Sequence, residues 1–100
     1  MAQTANQYST EASSTTSTGL LLSANFGFNA SYVRIVNRGT LPLRWTVNST
    51  AATTNDGDLR AGEQTEWRGG GQTSRVGVMS TSTSTSGVDM RRVHVHASGG

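Results

Sequence analysis

"YVRIVNRGTLPLRWTV", residues 32–47, decides the fold class. Val33 and Ile35 alternate with Arg34 and Val36. Beyond a polar break, Leu41, Leu43, Trp45 and Val47 alternate with Pro42, Arg44 and Thr46. A period of two carried by β-branched and aromatic residues is a strand signature, whereas a helix needs apolar residues three and four apart. The stretch therefore predicts two half-buried strands, 32–37 and 41–47, joined as a hairpin by "NRGT", where Gly39 can supply a positive φ. Pro42 has no N–H to give to a ladder, so it marks the start of its strand or an edge.

The same texture extends in both directions. "LLLSANFGFN" puts Leu20, Leu22, Phe26 and Phe28 at even positions, a strand bent or interrupted near Ser23 to Asn25. Asn55-Asp56-Gly57 and Ala61-Gly62-Glu63 read as turns around the single anchor Leu59. "QTEWRG" is a short strand with Trp67 inward, "GGGQT" a flexible loop, and "SRVGVMS" a strand burying Val76 and Val78. In "VDMRRVHVHA", Val93, Val95 and Ala97 alternate, but Val88 and Met90 are out of phase by one, which a bulge at Arg91-Arg92 would produce. The alternating "STSTSTS" of residues 80–86 fits either a hairpin limb or a loop.

Helical periodicity is absent and turn signals recur about every ten residues. The expectation is all-β, a small antiparallel β-sandwich of jelly-roll or Ig-like kind spanning residues 19–98. Its core is expected from Leu20, Leu22, Phe26, Phe28, Val33, Ile35, Leu43, Trp45, Leu59, Trp67, Val76, Val78, Val93 and Val95. Residues 1–18, "MAQTANQYSTEASSTTST", have no apolar periodicity and almost no charge, so they cannot order by burial alone. They read either as a floppy tail or as an extended N-terminal arm that lies on a neighbouring subunit through main-chain pairing.

Composition narrows the function classes. At 100 residues the chain is one small domain, with no cysteine for a disulfide or thiolate metal site. Oligomerisation or attachment to a larger body is the remaining remedy for a small core, which points to a homo-oligomer or a multi-copy assembly. Only 33% of residues are hydrophobic and 14% charged. Neither a membrane span nor a signal-like N-terminus is present, so synthesis in the cytoplasm is expected and the Asn29 and Asn48 sequons should carry no sugar. All 8 basic residues are Arg, against 6 acids, for a net charge of +2. They are scattered, except Arg91-Arg92, and make no basic aromatic face of the kind nucleic acid requires. Arginine suits planar contacts to carboxylates across protein interfaces.

Candidate sites are few. His94 and His96, two apart on one strand, share a face, but with no third ligand in view they read as polar outer residues, and no metal is expected. "NDGD" lacks the spacing of a calcium loop, and "GGGQTSR" has no Lys and opens no helix, so neither a phosphate loop nor any other cofactor site is expected. Glu63 and Glu66 could pair as carboxylates, but a chain of this size leaves no room for a deep cleft, and no G-x-S-x-G accompanies the many serines. The reading is non-enzymatic. The partner-contact candidates are Tyr8 in the arm and the outward groups Arg34, Arg44, Arg91, Arg92, His94 and His96.

Three segments, "YVRIVNRGTLPLRWTV", "AATTNDGDLRAGEQTEW" and "SRVGVMSTSTSTSGVDMRRVHVHA", together resemble small virion accessory proteins of tailed bacteriophages and prophages. The resemblance covers about residues 30–97 and rests on Val33-Arg34-Ile35, Asn37, Gly39, Ala61-Gly62-Glu63, Trp67 and Val93 to Val95. It implies a location in the virion and a structural role, first as a capsid decoration or cement protein bound to the major capsid protein. A neck, tail or fibre component is the alternative. A receptor- or carbohydrate-binding β-module is a third reading, which would need an exposed aromatic platform from Trp45 or Trp67.

Overall fold

A computed structural model of the chain describes residues 6–14, 20–47, 57–80, 82 and 90–99. The protein is all-β, with no helix among the described residues. Six strands, β1 (Asn6–Ser14), β2 (Leu20–Asn37), β3 (Leu43–Val47), β4 (Gly57–Leu59), β5 (Gln64–Ser80) and β6 (Arg91–Gly99), form a single antiparallel sheet in the order β1-β6-β2-β5-β3-β4.

Two long strands organise it. β2 runs for 18 residues and β5 for 17, and they pair with each other along most of their length. At one end Tyr32–Asn37 of β2 lies between β6 and the start of β5. At the other, the last part of β5 is flanked by the start of β2 and by β3, which carries β4. Between the two ends the buried phase of β2 switches from even residues, Ala24, Phe26 and Ala30, to odd ones, Val33, Ile35 and Asn37. Since a one-residue slip exchanges the faces of a strand, the switch requires irregular pairing. Register shifts occur there, between Asn25 and Ala30 and between Ala30 and Tyr32. Gly27, at φ +79°, supplies a conformation that side-chain-bearing residues avoid.

The phase switch thus lies at residues 25–32, with a further register shift between Leu20 and Leu22, and the expected bend at Ser23 to Asn25 is not found: those residues pair regularly with Gly77 to Arg75. The expected loop at "GGGQT" is also corrected, because residues 69–73 lie within β5. The glycines suit a strand whose partner is shifting register.

The hairpin expected from the opening stretch does not form either. β3 pairs with β5 and β4, never with β2. Asn37, fully buried at the end of β2, explains the detour. Its Nδ2 donates to the carbonyls of Leu41 (2.8 Å) and Leu59 (3.1 Å), and its Oδ1 accepts from the Gly39 N–H at 3.0 Å. The backbone N–H groups of Arg38 and Thr40 donate to Arg92 and Met90 carbonyls, so the connection adheres to the start of β6. Gly39 does not take a positive φ. Its role is close approach, since a Cβ there would lie 2.2 Å from the Met90 carbonyl oxygen.

One buried cluster runs through both ends of the sheet. Val33, Ile35, Val93, Val95 and Ala97 at one end join Ala24, Leu43, Leu59, Val76 and Val78 at the other through Phe26 and Ala30. Trp45, Trp67, Leu22 and Phe28 pack against this cluster half-buried, while Leu20, expected inside, is exposed.

β6 corrects a further expectation. It pairs with β1 without a shift from Arg91 to Gly99, so no bulge sits at Arg91-Arg92. Arg91 shares the inward phase of Val93, Val95 and Ala97 and is fully buried. The segment expected as an arm on a neighbour contributes β1, which lies on the chain's own sheet. The remainder of residues 1–18, most of the "STSTSTS" tract, and Asn55 and Asp56 lie outside the described residues.

Candidate functional site

The face opposite the core is continuous across β1, β6, β2 and β5, and the register fixes its rows. Gln7, Ser98, Tyr32 and Arg68 stand side by side; next to them run Ser9, His96, Arg34 and Glu66, then Glu11, His94, Val36 and Gln64, then Ser13 and Arg92. Directly opposed residues on neighbouring strands have Cβ atoms about 5 Å apart, close enough for side chains in a row to touch.

The contacts form two groups with Arg34 between them. In one, the Tyr32 hydroxyl donates to Glu66 Oε2 at 2.5 Å, and the Arg68 guanidinium sits 4.8 Å from the centre of the Tyr32 ring and 3.6 Å from the same carboxylate. The His96 ring meets Tyr32 edge-on at 6.5 Å. Glu66 raises the Tyr32 pKa, because the hydroxyl must keep its proton to donate. In the other group, Arg92 pairs with Glu11 at 3.1 Å, and Ser9 Oγ lies 2.9 Å from His94 Nε2. The hydrogen bond from Arg92 lowers the Glu11 pKa. Burial lowers that of His94, with Arg38 adding to it, so this imidazole favours its neutral form.

Arg34 occupies the middle of the face, beside His96 on one strand and Glu66 on the other. Its Nε is buried and has no hydrogen-bond partner among the described residues. Arg34, Arg38, Arg68 and Arg92 outnumber Glu11 and Glu66, so the face is net cationic even with neutral histidines. Such an open, ridged platform can take carboxylates and carbonyls from a broad surface. Its geometry is not that of an enclosed small-molecule pocket.

The structure thus brings together Arg34, Arg92, His94 and His96 from the residues singled out in the sequence. Arg44 lies elsewhere, across from Asp58 in the β3–β4 pair, lining an open hollow of about 480 Å³ with Pro42 and Arg60. One candidate is corrected. Arg91 is not outward but buried, its Nε donating to Ser80 Oγ and its Nη2 to the Ser82 carbonyl, each at 2.7 Å. Tyr8 turns from the outer face onto Phe26, with ring centroids 5.1 Å apart.

Sequence reasoning missed Tyr32, Glu66, Arg68 and Glu11 as members of the face. Period-two alternation assigns Tyr32, Glu66 and Arg68 an outward side and leaves Glu11 unassigned, and only the pairing of β2 with β5 and of β1 with β6 makes them neighbours. Glu63 and Glu66 do not work as a pair. Glu63 accepts the Arg60 N–H at 2.7 Å and closes the turn before β5, whereas Glu66 binds Tyr32. No group of three or more His, Asp or Glu side chains able to hold a metal occurs among the described residues. Trp45 lies against Gly57, where a Cβ would come within 2.6 Å of its Nε1.

No protein-family model, curated protein or solved structure matches the chain.

Proposed function

We propose that the chain is a non-enzymatic structural protein of a tailed-phage virion, a decoration or cement protein that binds the outside of the head and braces the major capsid protein. The observation that carries this reading is the open, Arg34-centred cationic face. Four strands present it as one platform, and its arginines suit carboxylates displayed by a folded protein surface. Phage-like motifs in the sequence support the virion setting. In this reading the sheet closes over its core as a β-sandwich, and the N-terminal segment adds contacts through β1, which lies on the chain's own sheet and carries part of the face. Many copies would each bury surface across adjacent capsid subunits, so that expansion of the shell must break extra contacts.

Co-sedimentation of the purified chain with phage-like capsids tests the proposal. The expected result is saturable binding at many copies per head, weakened at least tenfold by Arg34→Glu combined with Arg92→Glu. A folded chain that fails to bind heads, or a double variant that binds as the parent does, overturns it. Binding to isolated tails in place of heads would transfer the role to a neck or tail component.

A further inference from the structure

We propose that the outer edge of β1 is a self-association site, at which β1 of a second copy adds antiparallel so that one sheet runs through both molecules. This inference does not rest on the virion reading. It starts from the two ends of the sheet, β4 and β1. β4 is 3 residues long, and shortness is itself a protection against edge pairing. β1 is 9 residues long and pairs with β6 at every position without a shift. Its far side therefore offers a regular row of backbone donors and acceptors, and no described strand pairs there.

Protective devices are missing from that edge. Between Asn6 and Ser14 there is no Lys, no Pro, no Gly and no bulge. The single charge, Glu11, is already engaged by Arg92.

β1 also complements itself in one register. A two-fold axis through Thr10 pairs residue 7 with 13, 8 with 12 and 9 with 11. On the inward side Tyr8, whose ring covers Phe26, meets the small Ala12 of the second copy. On the outward side Glu11 meets Ser9. Moving the axis to Glu11 would set two carboxylates directly opposite each other. With the axis at Thr10 each residue faces one of the same parity, so the outer faces of the two copies join into a platform of double width.

Sedimentation velocity over a concentration series of the whole chain tests this, with a reversible dimer expected. Gln7 and Ser13 are both exposed and face each other in this register. Gln7→Arg with Ser13→Arg sets like charges opposite each other twice per dimer and should weaken association roughly tenfold. Gln7→Glu with Ser13→Arg sets opposite charges there and should restore it. Far-UV circular dichroism reports whether each variant keeps its fold. As the chain has no cysteine, Thr10→Cys gives a second readout: mild oxidation should link it to the second copy's residue 10, while Ser13→Cys, facing Gln7, should link far less. A monomer at every concentration overturns the proposal, as does a dimer indifferent to both charge pairs with no Thr10→Cys crosslink. Protection of β1 amides from exchange only when a different protein is added also overturns it, in favour of a foreign strand.

Discussion

Arg91 and Arg92 are neighbours in sequence and opposites in environment. Arg92 reaches across the exposed face to Glu11, and both side chains remain in contact with water. Exposed, solvent-screened pairs of this kind add little net stability, so Arg92→Ala should leave the urea midpoint nearly unchanged. Arg91 is buried at the start of β6, and its guanidinium holds the end of β5 through Ser80 and Ser82. Removing it loses charge-assisted hydrogen bonds to buried oxygens and opens a void, so Arg91→Ala should lower stability by about 3 kcal/mol in urea unfolding. Asn37 permits a sharper test, since Asn37→Asp keeps its size. A carboxylate cannot donate to the Leu41 and Leu59 carbonyls, and the two acceptors would face it in a dry site. Stability at neutral pH should fall by about 3 kcal/mol. Burial would raise the folded-state pKa of the new acid, so the penalty exists above the ordinary carboxylate range, and denaturation at about pH 3 should recover part of it.

Within β6 and its two neighbours, the alternation that buries Val93 and Val95 also sets His94 between Glu11 of β1 and Val36 of β2. Its folded-state pKa lies below the ordinary 6.5, first through burial, then through Arg38, with Arg34 and His96 adding and Glu11 opposing. The unfolded chain therefore takes up this proton at higher pH than the folded one. The His94 contribution to stability is intact above 6.5 and is lost as pH falls through the folded pKa. Glu11, whose pKa Arg92 lowers, adds its own acid loss in a separate window beginning below about 4.5. Chemical denaturation between pH 7.5 and 5 should show a decline that His94→Gln removes. The two faces of this strand were legible in "VHVHA", because a period of two needs no knowledge of neighbours. The inward phase of Arg91 was legible as well, since it is two residues before Val93; the bulge expected at Arg91-Arg92 obscured it. Pairing was not legible. The sequence of β2, "YVRIVN", followed by Gly39 and Pro42, satisfies every local rule for a hairpin. What overrides those rules is Asn37, whose side-chain partners lie 4 and 22 residues away. The same limit hid most of the cationic face, because Tyr32 and Glu66 become neighbours only across 34 residues of chain.

At the scale of the molecule, the two long strands join ends of the sheet that could otherwise have been separate. Had β2 and β5 each been broken at their glycines, Val95 and Val78 would belong to different small cores, each marginal at this chain length. Instead they belong to one buried cluster, which also holds Phe26 and Ala30 from the irregular zone. The connectivity reinforces this: β1, from the start of the chain, closes on β6, from its end, and His94 and Ser9 meet across 85 residues. Folding must organise distant segments before the sheet is rewarded, which favours slow, all-or-none behaviour. Val78→Ala and Val95→Ala each remove two buried methyl groups from sites with no solvent exposure and should each cost about 2 kcal/mol. The informative result is the shape of the transition. Trp45 reports from the β3 end and Trp67 from the β2–β6 end, so fluorescence of single-tryptophan variants, Trp45→Phe and Trp67→Phe, can follow each end separately. If the sheet is one cooperative unit, either valine substitution shifts both probes to the same new urea midpoint with unchanged slope. Separate midpoints, with Val78→Ala moving only the Trp45 signal, would mean that the zone around Gly27 uncouples the two ends.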